Sequence, residues 1–176
     1  MGNLGKTIAM AGQFSLIYGE GMLKDVKAEQ FARKPVVNGK VIDCNHPAWV
    51  YGHLAIYTNR ICEFAGIEPG PTVKPAGWDD LFKNGSPSTD DPSGTIFPKM
   101  DLLVRQYMDG HKYVLSRLPE VPDDVFAREN PAAPGRFKDT LPTVGGAVAF
   151  MMTGHVMSHL GQISTWRRCM GLGSAF

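Results

Sequence analysis

The chain carries almost no excess charge, few cysteines and no long hydrophobic run, and each scarcity removes a class of function. Eighteen Lys and Arg stand against seventeen Asp and Glu, a net charge of +1 with histidine neutral. No global field draws such a chain to a phosphate backbone or an anionic bilayer, so neither nucleic acid nor membrane is an expected partner. Cys44, Cys62 and Cys169 are widely spaced with no C-x-x-C pair, which argues against a disulfide framework or a cysteine-based zinc site and for a reducing compartment. The apolar stretch near the N-terminus is interrupted by Gln13 and Ser15 and preceded by one basic residue, Lys6, a weak secretory signal. No segment reaches the roughly 20 apolar residues of a membrane span. Gly2 follows Met1, but Lys6 stands where an acylation motif needs Ser or Thr. A cytoplasmic protein is expected. With 176 residues, 43% hydrophobic and 20% charged, the chain has material for one domain, residues 1–176, around one core.

Four segments carry helical periodicity. The first is predicted over about residues 4–31, with Ala11, Phe14, Tyr18 and Met22 on one stripe, weakened at Gly19 and Gly21. Asn38-Gly39, between Val36-Val37 and Lys40-Val41, suits a minimal hairpin. The second helix opens at Asn45-His46-Pro47, with Asn45 as cap and Pro47 in the first turn, and stops near Gly66. Residues 67–96 hold Pro69, Pro71, Pro75, Pro87 and Pro92 and leave room for one helical turn over 78–82; a connection of that length is often functional. The third helix is predicted over 97–118, with Val104, Tyr107, His111, Val114 and Leu118 in line, and the fourth from a Thr143 cap through Cys169. Four helices without substantial strands predict an all-α bundle with a long connection between helices 2 and 3.

The fourth helix accepts a 4-3 seam of Val148, Met152, His155, His159, Gln162, Trp166 and Cys169, with two imidazoles and a carboxamide where packing asks for Leu or Ile. Unpartnered polar groups there cost about 1–3 kcal/mol each. A metal ion supplies a partner: His155 and His159, four residues apart, stack on one helical face about 6 Å apart and can converge on one cation. The second helix repeats the anomaly in the stripe His46, Val50, His53, Tyr57 and Phe64. His46 and His53 are roughly 10 Å apart along the axis, too far to share an ion with bonds of about 2 Å. His53, mid-helix, is therefore the expected third ligand and His46 a pocket-rim residue. H-x-x-x-H also arises by chance, and Val156 stands where a zinc protease would carry Glu. His111 reads first as a core histidine, with a fourth-ligand or supporting role at the metal as the alternative. Gln162, near His159, is a candidate for orienting a ligand. Cys44 and Cys169 read as inert thiols, Trp166 and Tyr57 as packing residues, and Asp79, Asp80, Asp90 and Asp91 as solvated loop charges.

The segments Asn45-His46-Pro47-Ala48-Trp49-Val50-Tyr51-Gly52-His53-Leu54-Ala55 and Gly154-His155-Val156-Met157-Ser158-His159-Leu160-Gly161-Gln162-Ile163 together resemble the DinB-like (YfiT-like) superfamily of metal-binding four-helix bundles. The resemblance implies an up-down-down-up bundle, usually a homodimer. It also implies a divalent ion such as zinc or nickel held by one histidine of the second helix and two of the fourth, which fall on His53, His155 and His159. The family's characterised enzymes act on small molecules as thiol S-transferases using low-molecular-weight thiols such as bacillithiol or mycothiol, or as a thiol-dependent isomerase. No acidic general base stands beside either motif, which weakens the alternative of a water-activating hydrolase. A non-catalytic metal- or ligand-binding bundle is the third reading.

Overall fold

The computed structural model describes residues 3–176, so Gly2 lies outside the described residues. The chain is all-α in character, 60% helix and 3% strand, and among the described residues no helix is long and apolar enough to cross a membrane. Helix α1 spans Asn3–Gly21, and the Asp123 carboxylate from far along the chain accepts the free N–H groups of Asn3 and Leu4 at its start. Its buried positions are Gly5, Ile8, Gly12, Ser15, Leu16 and Gly19, a seam in which glycine alternates with larger residues; of the predicted stripe, Met22 is buried and Tyr18 half-buried, whereas Ala11 and Phe14 are exposed. The cause is close approach: a Cβ at Gly5 would overlap the Leu118 carbonyl and one at Gly19 the Tyr107 hydroxyl. The helix also stops ten residues short of the predicted end, and Asp25 beyond it is left-handed (φ 60°).

Strands β1 (Val36–Val37) and β2 (Lys40–Val41) pair antiparallel across Asn38 and Gly39, both at positive φ as a tight hairpin turn requires. Helix α2 (Pro47–Ala65) is capped by His46 rather than Asn45: the His46 Nδ1 accepts the Trp49 N–H at 3.3 Å, and Gly66 closes the other end. From Pro47 to Ile56 α2 is buried on every side, because α4 lies against it and the long connection wraps it. That connection contains the short helix α3 (Trp78–Phe82), whose Phe82 ring occupies the space a Cβ at Gly52 would fill. Helix α4 (Met100–Arg117) packs on α1 and α2, with Gly110 against Thr58. Two single-turn helices, α5 (Asp123–Ala127) and α6 (Arg136–Thr140), lead into α7 (Val144–Met152), where the Thr143 hydroxyl accepts the Gly146 N–H as expected of a cap.

The predicted fourth helix is two. Thr153 (φ −127°, ψ −83°) separates α7 from α8 (Gly154–Cys169), its hydroxyl donating to the Ala149 carbonyl one turn back, the back-bond that bends helices. Past the break the buried face is Val156, Leu160, Ile163, Trp166 and Arg167. The predicted line of His155, His159 and Gln162 lies beside that face, half-buried. The histidines thus border the core instead of filling it.

Gly52→Ala should force the fully buried Phe82 ring aside and cost about 1–3 kcal/mol. Gly161→Ala, in open space on α8, should be neutral or stabilise by up to about 1 kcal/mol. Thermal melts of the two variants beside the parent check the contrast, and equal melting temperatures would remove the Gly52 contact as a constraint.

Candidate metal centre

Helices α2 and α8 run antiparallel across the site, and the pairs along them read as a ladder. The Asn45 side chain donates to Gln162 Oε1 at 3.0 Å, the Trp49 ring lies 5.8 Å from His159, and His53 Nε2 lies 3.1 Å from His155 Nε2. Tyr57 closes the series, its ring 4.5 Å from His155. One ring nitrogen from each of His53, His155 and His159 lies within 4.8 Å of the others. For comparison, two nitrogens bonded at about 2.0–2.1 Å to one tetrahedral ion sit about 3.3 Å apart.

Partners outside the cluster set the tautomers. His53 Nδ1 donates to the Phe82 carbonyl at 2.6 Å, which leaves the Nε2 lone pair facing the cluster. His159 Nδ1 donates to Gln162 Oε1 at 3.2 Å, which frees its Nε2 in the same way. Such partners fix ring orientation and raise ligand basicity at metal sites. His155 differs: its Nε2 faces His53 and its Nδ1 is buried with no hydrogen-bond partner among the described residues. His155 Nε2, 3.1 Å from His53 Nε2, completes with the two directed lone pairs an all-imidazole donor set that fits a divalent ion.

Electrostatics agree. Burial pushes His53 down to about 4 and His155 down to about 3, the latter assisted by His159, His53 and His111 nearby; burial also lowers His159, against the opposing Gln162 hydrogen bond. At neutral pH all three rings are uncharged, so an ion meets lone pairs without first displacing protons. Trp49 stacks on His53 at 4.6 Å and 15°, shielding it, while its indole N–H is held by Ser86 Oγ at 2.9 Å.

The remaining candidates fall elsewhere. His46 is fully buried, not at a rim: Nε2 donates to the Thr89 carbonyl at 2.8 Å and its backbone N–H to Ser88 Oγ at 3.2 Å, so it pins the long connection to the start of α2. His111 is buried with Nδ1 on the Tyr107 carbonyl at 2.8 Å and stands outside the cluster. Gln162 Oε1 accepts from both His159 Nδ1 and the Asn45 side chain. The Phe82 carbonyl and Asn45 were not foreseen; a backbone acceptor leaves no mark in side-chain chemistry, and Asn45 reads equally well as a cap. Tyr57 was readable as a site residue from its place one turn past His53.

The sequence model of the DinB superfamily matches residues 20–163, and the chain belongs to that superfamily. No curated protein and no solved structure matches it.

One divalent ion per chain is expected in protein purified without an affinity tag and loaded with zinc or nickel. Stoichiometric binding that survives His155→Ala with His159→Ala would remove the ligand set. Gln162→Leu should leave the fold intact and weaken metal affinity about 10–100-fold. Metal should stay bound at pH 6, where exposed histidines are already mostly protonated, and leave on further acidification; elemental analysis after dialysis reads all of these outcomes.

Proposed function

We propose that the chain is a divalent-metal-dependent enzyme of the thiol S-transferase type, with zinc or nickel held by His53, His155 and His159, a low-molecular-weight thiol as co-substrate and a small electrophile as acceptor. The observation that supports this reading is the make-up of the cluster: three uncharged imidazoles, half-buried on the α8 side, with no carboxylate among them. A divalent ion held by these three imidazoles would acidify a thiol or a water bound to it. A thiol with an ordinary pKa of about 8.5 needs a far smaller shift than water and no carboxylate base. In such a transfer the sulfur would bond to the electrophilic carbon, the leaving group would depart with its electron pair, and the thiol proton would pass to solvent. Gln162 and the Phe82 carbonyl keep two imidazoles aimed throughout, and Trp49 keeps water from the inner face. The reading carries with it a single cytoplasmic domain folded as an up-down-down-up four-helix bundle.

In cobalt-loaded protein, a low-molecular-weight thiol should produce a sulfur-to-cobalt absorption band that is absent in the His155→Ala, His159→Ala variant, and consumption of an electrophile should require both metal and thiol. Metal-dependent ester hydrolysis without thiol would replace transfer by hydrolysis. Silence in both assays, with a metal-dependent melting temperature, would leave a binding bundle.

We also propose a homodimer formed through α1. Met10, Phe14 and Ile17 lie on one outward stripe and are 77%, 70% and 50% exposed, a run of large apolar side chains that a second copy would cover. Sedimentation should give a dimer at micromolar concentration and a monomer for Phe14→Glu; a monomeric parent would end this idea.

A further inference from the structure

Two openings lie near opposite ends of the histidine ladder, and they differ in charge. Beyond Gln162 lies a polar cleft of about 860 Å³ in which one cation, Lys34, faces two carboxylates, Asp43 and Asp90. Beyond Tyr57 lies a cavity of about 380 Å³ lined by three cations, Arg60, Lys74 and Lys83, and two carboxylates, Glu63 and Asp79. Tyr57 joins this second cavity to the cluster, since it lines the cavity while its ring sits 4.8 Å from His53 and 4.5 Å from His155.

The cations there are not equivalent. Lys74 is paired with Asp79 at 2.8 Å and Lys83 with Asp80 at 2.9 Å. Arg60 has no carboxylate within 4.0 Å among the described residues, Glu63 included, and its guanidinium lies 5.4 Å over the Phe64 ring. Stacking on an aromatic face holds the planar fork while leaving its N–H edge for a two-point partner. His53, Tyr57, Arg60 and Phe64 follow one another on a single face of α2, and seven residues of helix put Arg60 about 10 Å along the axis from His53. A larger apolar cavity of about 680 Å³, lined by Phe31, Pro92, Phe97 and Met100 among others, shares no lining residue with the cluster.

We propose that the Tyr57–Arg60 cavity receives the carboxylate end of a substrate whose reacting end lies at His53, His155 and His159. The substrate class is therefore an anionic small molecule with its carboxylate roughly 10 Å from the reacting atom. The Arg60 fork takes the carboxylate in paired hydrogen bonds, and Tyr57 forms the wall along which the intervening chain lies. This inference rests on the metal-site reading above.

The test compares 8-mercaptooctanoate with 8-mercaptooctanol, whose extended chains have similar reach, by calorimetric titration into the cobalt-loaded full chain. The acid should bind about tenfold more tightly than the alcohol. Arg60→Gln should erase that preference without changing affinity for the alcohol or the metal content, and Arg60→Lys should keep part of it. Equal affinity for the two, no measurable binding of the acid, or a preference that survives Arg60→Gln overturns the proposal. The cobalt absorption of the same samples reads thiol coordination separately: a preference for the acid that Arg60→Gln removes, with no sulfur-to-cobalt band, supports the carboxylate pocket while removing the thiol reading.

Discussion

The hydrogen bond from His53 Nδ1 to the Phe82 carbonyl, 2.6 Å long, joins the long connection to the middle of α2 and decides which nitrogen of His53 is free. It exists because Gly52 has no side chain. The Phe82 ring docks where a Cβ would stand, and the carbonyl of the same residue arrives over the neighbouring histidine. Packing at one position therefore sets protonation at the next. The segment is further secured by His46, which binds the Thr89 carbonyl and the Ser88 hydroxyl, and by Trp49, which binds Ser86. Three successive turns of α2 thus hold the connection, each through a polar contact it needs on its own account.

On the facing helix the constraint is the break at Thr153. An unbroken 4-3 seam would carry His155 and His159 into the centre of the core, where an ion would be sealed from any substrate. With the chain re-phased, Val156, Leu160 and Ile163 take the core and the histidines move to its border. They remain buried enough to stay neutral and open enough to be reached. An open three-nitrogen site is the arrangement metalloenzymes keep for catalysis, whereas structural sites close their coordination shell with protein ligands.

The site also has a direction. Charge is nearly balanced over the whole chain, yet the cleft beyond Gln162 holds an excess of carboxylate and the cavity beyond Tyr57 an excess of cation. A neutral protein can present a polarised cleft because only local pairing matters within a Debye length of about 8 Å. Arg60, which has no carboxylate within 4.0 Å among the described residues, contributes more to that polarity than the two paired lysines.

Sequence alone determined the helical character, the cap at Thr143, the hairpin at Asn38-Gly39 and the set of three histidines. Each depends on local periodicity or turn chemistry, or on polar residues recurring where an apolar stripe should run. It misled where burial is carried by glycine: the inner face of α1 sets Gly5, Gly12 and Gly19 beside Ile8, Ser15 and Leu16, while Phe14 of the expected stripe points outward. It was also silent on Asn45, which resembles a helix cap until Gln162 is brought against it from 117 residues away. Tertiary structure decided which ring nitrogens are free, that His46 braces a loop while His53 faces the cluster, and that Tyr57 packs against His155. Those outcomes are contacts between distant segments and backbone carbonyls, and a pattern of side chains along one helix carries no information about the carbonyl that another segment will place beside it.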